Sequence, residues 1–374
     1  MQTVAQSWLV LQLTPSPLLL GLIGTLQFAP ILLFSIASGA VADRLPKRRL
    51  LVVTQAALAV QTLALAALVA SGHVRYWHVA ALAFLAGLTS VLDQPARQSF
   101  VAEMVGRADL ANAVALNSAG FNAARIVGPA LGGLLIAQLG VVPGFLLNCA
   151  GFLLVIAVLG RLRAEGAPRA RTGTGLGQDI GEGLRYAARS PHILLNLALL
   201  FVVSIFVFNF TVYVPLVVRQ VLGLGAEGFG FLMASLGVGA VAGALTVGTM
   251  SRPPLPVMFG AAALACCGLV ALAAASRFWL AVPCLFVTGF AGLVLVASCN
   301  TTLQLAAPDE LRGRVMSLYT LVWGGAFPFG AFEVGAISER WGVTRALTVN
   351  GTAGLVCLGA IGVWWWRRGV TRAA

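Results

Sequence analysis

Residues 39–49 read Gly-Ala-Val-Ala-Asp-Arg-Leu-Pro-Lys-Arg-Arg and join two apolar stretches, residues 18–38 and 50–70. Five of these eleven residues are charged, whereas 10% of the whole chain is charged. Each flanking stretch has the roughly 20 apolar residues that a helix needs to cross a bilayer. The segment is therefore expected to be a short polar loop between two membrane-spanning helices.

The same alternation of long apolar stretches and short polar gaps continues along all 374 residues. The chain is 59% hydrophobic with a mean hydropathy of +0.93, whereas soluble domains usually carry about 25% charged residues. Eleven stretches are long enough to span a membrane: 18–38, 50–70, 77–98, 113–138, 143–161, 193–216, 228–248, 255–275, 278–300, 314–337 and 344–366. These predict an all-α integral membrane protein.

Residues 1–13 are apolar but too short to cross the bilayer. We interpret them as the second half of a first span whose beginning is missing. Either the chain is a fragment or its start codon is placed too late. On this interpretation the eleven complete stretches are spans two to twelve.

The basic residues indicate the orientation, because cytoplasmic loops are rich in Arg and Lys. With residues 43–49 assigned to the cytoplasm, only five of the 24 basic residues fall in outer gaps: Arg75, Arg219, Arg277, Arg340 and Arg345. The net charge of +12 therefore fits loops that face anionic lipid rather than nucleic acid. We expect a multi-pass protein of the bacterial cell (inner) membrane with a cytoplasmic C-terminus.

The longest polar stretch divides the chain into two halves. We expect an N-terminal transmembrane bundle over residues 1–162, a cytoplasmic linker over 163–191 and a C-terminal bundle over 192–374. Two six-span halves with a substrate site between them are a transporter architecture. We expect the protein to be a monomer.

Several chemistries lack their sequence motifs. No G-x-x-x-x-G-K-[ST] phosphate loop occurs, and Lys47 is the only lysine. No H-E-x-x-H or G-x-S-x-G motif occurs, and the six cysteines form no C-x-x-C pair. We therefore expect no enzymatic activity, no cofactor, no metal site and no direct use of ATP.

The segment 39–49 resembles the signature loop of the major facilitator superfamily: a glycine, an aspartate and then a basic cluster. Pro46 stands where that signature usually has a second glycine. Its D-R-x-P-x-R-R form resembles one subgroup, the enterobactin exporter-like or transmembrane secretion effector proteins. Further resemblance to this subgroup lies in Leu92–Phe100, Asn112–Ser118 and Ala124–Gly133. It extends from Gln2 to about Arg368.

The resemblance implies two kinds of moving part. The first is a conformational latch in which Asp43 contacts the N-terminal end of span eleven, where a helix favours an anion. To this latch we assign Gly39, Asp43, Arg44, Arg48, Asp93 and Arg97. The second is a hinge in span five, where Gly128, Pro129, Gly132 and Gly133 resemble the signature of drug/proton antiporters. Pro129 would kink the helix, and the glycines would allow close packing.

Ionisable groups at membrane depth usually mark function. Arg125 is expected to face the protein interior, either binding an anionic group of the substrate or forming a structural hydrogen-bonded contact. Asp93 and Arg97 are four residues apart on one helical face. For Asp93 three roles are open: part of the latch, the coupling proton site, or a local ion pair. Glu333 is left without a role, either facing an exit vestibule or pairing with Arg340.

Uncharged polar residues in the spans are further candidates for substrate or coupling contacts. They include Gln6, Asn117, Asn122 and Asn209. A mostly apolar pocket with a few polar anchors suits an amphiphilic small molecule. Each residue alone is equally compatible with a hydrogen bond between helices.

Together these features predict a secondary exporter of a drug, siderophore or metabolite that works by alternating access with antiport of protons. The alternatives are an uptake symporter or facilitator on the same fold, and a non-transporting degenerate paralogue. The partners implied are a small-molecule substrate, protons and the lipid bilayer.

Replacing Asp43 with Asn tests the latch. We expect the variant to insert into the membrane normally, because the loop lies outside the apolar core, and to transport poorly. Transport rate and the amount of protein in the membrane fraction are measured together. Normal flux in Asp43→Asn would rule out the latch.

Overall fold

The computed structural model describes residues 2–162, 185–250 and 252–373. Side chains are described throughout these ranges except at residues 35–44, 98–99, 101–103, 105–119, 121–123, 125–126, 309–310, 312–313 and 369–373. The described residues form helices joined by short turns, and they contain no strand. The prediction of an all-α membrane fold is therefore confirmed.

The chain forms two compact units. Unit 1 comprises residues 1–174 together with Gly225–Phe231, and unit 2 comprises Gly175–Leu224 and Leu232–Ala374. The first helices of unit 1 are α1 (Gln2–Leu13), α2 (Pro17–Arg44), α3 (Lys47–Ala70), α4 (Tyr76–Leu139) and α5 (Val141–Arg161). The linker expected over 163–191 falls largely outside the described residues.

Helix α4 combines two stretches that the sequence predicts as separate spans, 77–98 and 113–138. It contains 64 residues, about 96 Å if straight, which is three times the thickness of the hydrocarbon core. Phe100 packs in a cluster with Leu159, near the end of α5, whereas Ile136 lies 3.9 Å from the Cβ position of Gly144, near its beginning. Those points on α5 are only about 22 Å apart. Helix α4 therefore bends back on itself between Phe100 and Ile136.

The helices of unit 2 are α6 (Pro191–Phe206), α7 (Phe210–Leu216) with a π-helical turn at Val217–Val221, α8 (Ala226–Gly248), α9 (Leu255–Ala274), α10 (Phe278–Ala306), α11 (Asp309–Gly325), α12 (Phe327–Trp341) and α13 (Val343–Ala373). The first residues of α8 belong to unit 1. Across the described part of the chain, ten helical segments are long and apolar enough to cross a membrane, and Val127–Leu139 is a shorter apolar helix.

The seventh span is interrupted in its middle. Helix α6 ends at Phe206 and α7 begins at Phe210, so the helix is broken at residues 207–209. These three residues are 8% exposed or less. A broken helix at membrane depth needs other partners for its freed backbone groups. Two side chains supply them: Asn209 Nδ2 donates to the carbonyl of Ile205 (2.8 Å), and the Tyr213 hydroxyl donates to that of Val207 (2.8 Å).

The eleventh span is also divided, into α11 and α12, at Ala326. Gly330, in the first turn of α12, packs against the break in the seventh span. A Cβ atom at Gly330 would overlap the Asn209 side chain and the Ile205 carbonyl oxygen. Only glycine therefore allows the two interrupted helices to approach this closely.

Replacing Gly330 with Ala tests this contact. We expect a loss of about 1–3 kcal/mol of stability, because the added methyl group meets backbone that cannot move aside cheaply. The measurement is thermal unfolding of the purified protein in detergent. Gly359→Ala is the matched control, since a Cβ atom at that helical position meets nothing within 4 Å. Equal unfolding midpoints for the two variants would contradict the close approach.

Candidate functional site

Asp93 on α4 lies at the centre of a buried charged site between α3 and α4. Its Oδ1 accepts hydrogen bonds from the Thr54 hydroxyl and from Gln55 Nε2, both at 2.7 Å. Its Oδ2 accepts from Arg97 Nη2 at 2.7 Å and from Arg97 Nε at 3.2 Å. The side chain of Asp93 is 8% exposed and that of Arg97 is 45% exposed. Both carboxylate oxygens are thus occupied by donors.

An apolar cluster lies beside this site. The cluster joins α3, α4 and the end of α5, and it contains Leu50, Leu51, Ala96, Phe100 and Leu159. Charge-assisted hydrogen bonds are about twice as strong as neutral ones, and apolar surroundings strengthen them further. The arrangement therefore fixes α3 against α4 and suits a static clamp.

Arg48, which the sequence assigns to the latch, has a different set of contacts. Its Nε donates to the carbonyl of Leu159 (2.7 Å) and its Nη2 donates to that of Gly160 (2.8 Å). These carbonyls lie at the C-terminal end of α5, where a helix has unpaired acceptors and favours a cation. In the structure Arg48 therefore caps α5.

Several predicted residues cannot be compared with the structure. The structure leaves out the surroundings of Gly39 and five side chains: Asp43, Arg44, Asn117, Asn122 and Arg125. The latch between Asp43 and span eleven, and the inward-facing Arg125, stay predictions. Of the six latch residues, the structure brings Asp93 and Arg97 together.

The predicted hinge residues lie at a close helix crossing within unit 1. Gly132 and Gly133 are buried, and Gly128 and Pro129 are half-buried. A Cβ atom at Gly230, near the start of α8, would lie 2.7 Å from the Cα of Gly133 and 3.1 Å from the Pro129 carbonyl oxygen. Small residues at such a crossing let two backbones approach and slide with little side-chain interlocking.

A second polar cluster joins α1, α3 and α5. Gln2 Nε2 donates to Gln61 Oε1 at 2.9 Å, and Asn148 Nδ2 donates to Gln2 Oε1 at 2.8 Å. Thr62 lies beside them, with its hydroxyl 3.2 Å from Gln61 Oε1. The predicted residue Gln6, one turn along α1, is 3% exposed, and its Nε2 has no hydrogen-bond partner. A buried amide donor without a partner is unusual, because buried polar groups normally form a hydrogen bond.

Asn209, the remaining predicted residue, lies in the break of the seventh span beside an aromatic cluster. Phe208 packs edge-to-face on Phe210 (centroids 5.2 Å apart) and on Trp323 (4.6 Å). Phe210 packs on Tyr213 (5.4 Å), and Trp323 on Phe327 (5.3 Å). Interrupted helices near the midplane are typical places for substrate and ion binding in transporters.

Sequence reasoning missed four residues of α3: Thr54, Gln55, Gln61 and Thr62. Two polar pairs seven residues apart lie on one face of a helix, because seven residues make about two turns. After its three basic residues, Lys47–Arg49, helix α3 is otherwise apolar, so this spacing was a usable signal. Among the described residues, no group of three or more His, Cys, Asp or Glu is placed to hold a metal ion.

Comparison with known proteins gives consistent results along nearly the whole chain. The sequence profile of the family described as "Transmembrane secretion effector" matches residues 1–367. The "Multidrug efflux pump Tap" of Mycolicibacterium fortuitum is 30% identical over 358 residues, covering 91% of this chain and 85% of the relative. Tap of Mycobacterium tuberculosis is 30% identical over 379 residues (96% and 88%). The "Enterobactin exporter EntS" of Shigella boydii is 25% identical over 353 residues (93% and 83%).

Solved structures agree on the fold. A bacterial homologue of the human lysosomal transporter Spinster, in an inward-facing and unoccupied conformation, superposes with a TM-score of 0.76 at 14% identity, covering 96% of this chain and 93% of that one. A POT family transporter in complex with a thioalcohol-conjugated peptide gives 0.76 at 12% identity (98% and 93%). At these identities the likeness concerns the fold alone.

Replacing Thr54 with Val tests the clamp on Asp93. The substitution keeps the side-chain shape and removes one donor from a buried charged acceptor, which costs about 1.5–3 kcal/mol. We expect thermal unfolding in detergent at a lower temperature than for Thr89→Val. That control removes an exposed hydroxyl on α4 that donates to the Leu85 carbonyl of its own helix. Indistinguishable midpoints would show that Thr54 contributes nothing to the clamp.

Proposed function

Because this chain belongs to the Transmembrane secretion effector family of the major facilitator superfamily, we propose that it exports small organic molecules from a bacterial cell in exchange for protons. It is a transporter and not an enzyme. The observation that carries the proposal is similarity, over nine-tenths of the chain, to proteins named as a multidrug efflux pump and an enterobactin exporter.

Alternating access is the proposed mechanism. The predicted hinge residues support a movable element, because Pro129 removes a backbone hydrogen bond of its helix and Gly133 leaves no side chain at the crossing with Gly230. The clamp of Thr54, Gln55 and Arg97 on Asp93 supports the opposite property, a rigid pairing of α3 with α4. A rocking bundle needs both stiff helix pairs and a few loose crossings.

The proposed cargo is an amphiphilic molecule. Two places offer polar contacts at membrane depth: Gln6, with its unpaired Nε2, and the aromatic cluster around Asn209. Aromatic rings bind flat apolar or cationic groups, and a few amides fix orientation. Arg125, Asn117 and Asn122 stay candidates for further contacts with the cargo.

Sequence features support the proposed energy source and setting. The chain has no phosphate loop, so the proposed driving force is the proton gradient. The proposed location is the inner membrane, with the C-terminus in the cytoplasm because Arg367 and Arg368 directly follow the apolar part of the last helix. The proposed working unit is a monomer with two bundles, residues 1–162 and 192–374, joined by a cytoplasmic linker.

Expression in a bacterial strain that lacks its own efflux pumps tests the proposal. We expect cells with the protein to retain less of at least one compound in a panel of labelled siderophores, antibiotics and dyes than cells with an empty vector. A protonophore should remove this difference, because it dissipates the gradient while leaving the protein intact. Retention is measured with and without the protonophore.

Other outcomes have distinct meanings. Export that survives the protonophore while ATP remains would contradict proton coupling. Accumulation instead of depletion would contradict export and favour an uptake symporter or facilitator. Unchanged retention for the whole panel, with the protein present in the membrane, would contradict the proposal for these cargo classes.

A further inference from the structure

Exchange of cargo for protons requires a side chain inside the membrane that binds and releases a proton. Four acidic residues lie in the described candidate spans: Asp93, Glu227, Glu333 and Glu339. Glu227 and Glu339 are exposed and lie within two residues of a helix end. Asp93 and Glu333 are therefore the two that lie well inside a span.

Both carboxylate oxygens of Asp93 are occupied by donors in the arrangement observed. Each of its carboxylate oxygens accepts two hydrogen bonds, from Thr54 and Gln55 on one side and from Arg97 on the other. A proton on either oxygen would displace a donor, and on Oδ2 it would meet a guanidinium group. Each of these changes breaks a strong charge-assisted contact.

Glu333 has the opposite environment. It is half-buried on α12, and no described residue forms a hydrogen bond or ion pair with it. The alternative of a pair with Arg340 is not formed. A carboxylate without a donor is costly at membrane depth, so binding a proton here removes an unfavourable charge and breaks no contact.

The depth of Glu333 suits this role. Eight residues of helix, about 12 Å, separate it from Trp341 at the end of α12. Trp341 is 55% exposed, as expected of a tryptophan at the membrane surface. Glu333 then lies about 12 Å from that surface, inside a hydrocarbon core about 30 Å thick.

No neighbouring charge satisfies Glu333. The helices that contact α12 are α6, α7, α11 and α13. Their described titratable or charged side chains are His192, Tyr213, Arg314, Tyr319, Arg345, Cys357, Arg367 and Arg368, and those of α12 itself are Glu339 and Arg340. None of them pairs with Glu333 among the contacts of the described chain.

Glu333 is also placed to influence an element that can change shape. It lies three residues, about 4.5 Å along the helix, beyond Gly330. Gly330 packs against Asn209 and the Ile205 carbonyl, at the break of the seventh span. A change of charge on Glu333, one turn from this contact, changes the electric field at both interrupted helices. Interrupted helices are elements that rearrange in transporters.

We propose that Glu333 binds and releases the proton that is exchanged for cargo, and that Asp93 stays fixed in its clamp. The proposal rests on the proposed function, proton-driven export, and names the side chain that carries the proton. The break at residues 207–209, held by Asn209 and Tyr213, is the element through which protonation of Glu333 affects the seventh span.

A carbodiimide tests proton binding without any cargo. N,N′-Dicyclohexylcarbodiimide is apolar and adds to protonated carboxyl groups, so the labelled peptide gains the full mass of the reagent. The purified protein is treated in detergent over a range of pH, and the adducts are located by mass spectrometry. We expect an adduct on Glu333 and none on Asp93. Labelling of Glu333 should fall by about tenfold per pH unit above the midpoint of its titration.

Variants on the same helix provide the controls and connect proton binding with transport. Glu333→Gln should lose the adduct, and Glu339→Gln, at the exposed end of α12, should keep it. In the retention assay, Glu333→Gln should lose the protonophore-sensitive export, Glu333→Asp should regain part of it, and Glu339→Gln should match the unmodified protein.

Two results would overturn the inference. The first is an adduct on Asp93 but not on Glu333, or no adduct on either residue. The second is labelled Glu333 together with normal protonophore-sensitive export by Glu333→Gln. If the unmodified protein shows no protonophore-sensitive export, the proposed function fails instead, and the labelling separately decides whether Glu333 binds a proton.

Discussion

The hydrocarbon core of a bilayer contains no water, so each polar group within it needs a partner from the chain itself. This constraint explains most of the polar contacts described. Asn209 and Tyr213 supply donors to the carbonyls freed where the seventh span is broken. Thr54, Gln55 and Arg97 occupy both oxygens of Asp93, and Arg48 occupies the last carbonyls of α5. The interrupted and charged elements are stable because these partners are present.

The same constraint separates charges that hold helices together from polar groups that bind a proton or cargo. A charge with donors on both of its oxygens, such as Asp93, holds two helices together. A group without a partner, such as Glu333 or the amide nitrogen of Gln6, is costly unless something arrives to satisfy it. A transporter needs such groups, because proton and cargo must each be bound in one conformation and released in another.

Composition and hydropathy predicted the helical membrane fold, because twenty apolar residues in a row have few other stable forms. The pairing of Asp93 with Arg97 was also predictable from their spacing of four residues. The partners Thr54 and Gln55 were not, since they depend on the register between α3 and α4. The assignment of Arg48 to the latch stays a prediction. Its hydrogen bonds to the last carbonyls of α5 were not predictable, because sequence position does not reveal which helix end lies beside a side chain. The break at residues 207–209 was not predictable, because the three residues lack glycine and proline and a single polar residue, Asn209, is equally compatible with an unbroken helix.

The central claim is that cargo and protons move in opposite directions through this chain. The most direct test uses proteoliposomes with a trapped pH indicator, no imposed pH gradient, and a compound that the cells export. The compound is added outside, and the internal pH is followed as it enters. The account predicts that the interior becomes alkaline, because each cargo molecule that enters drives protons out. Entry of the compound with an unchanged internal pH would contradict it.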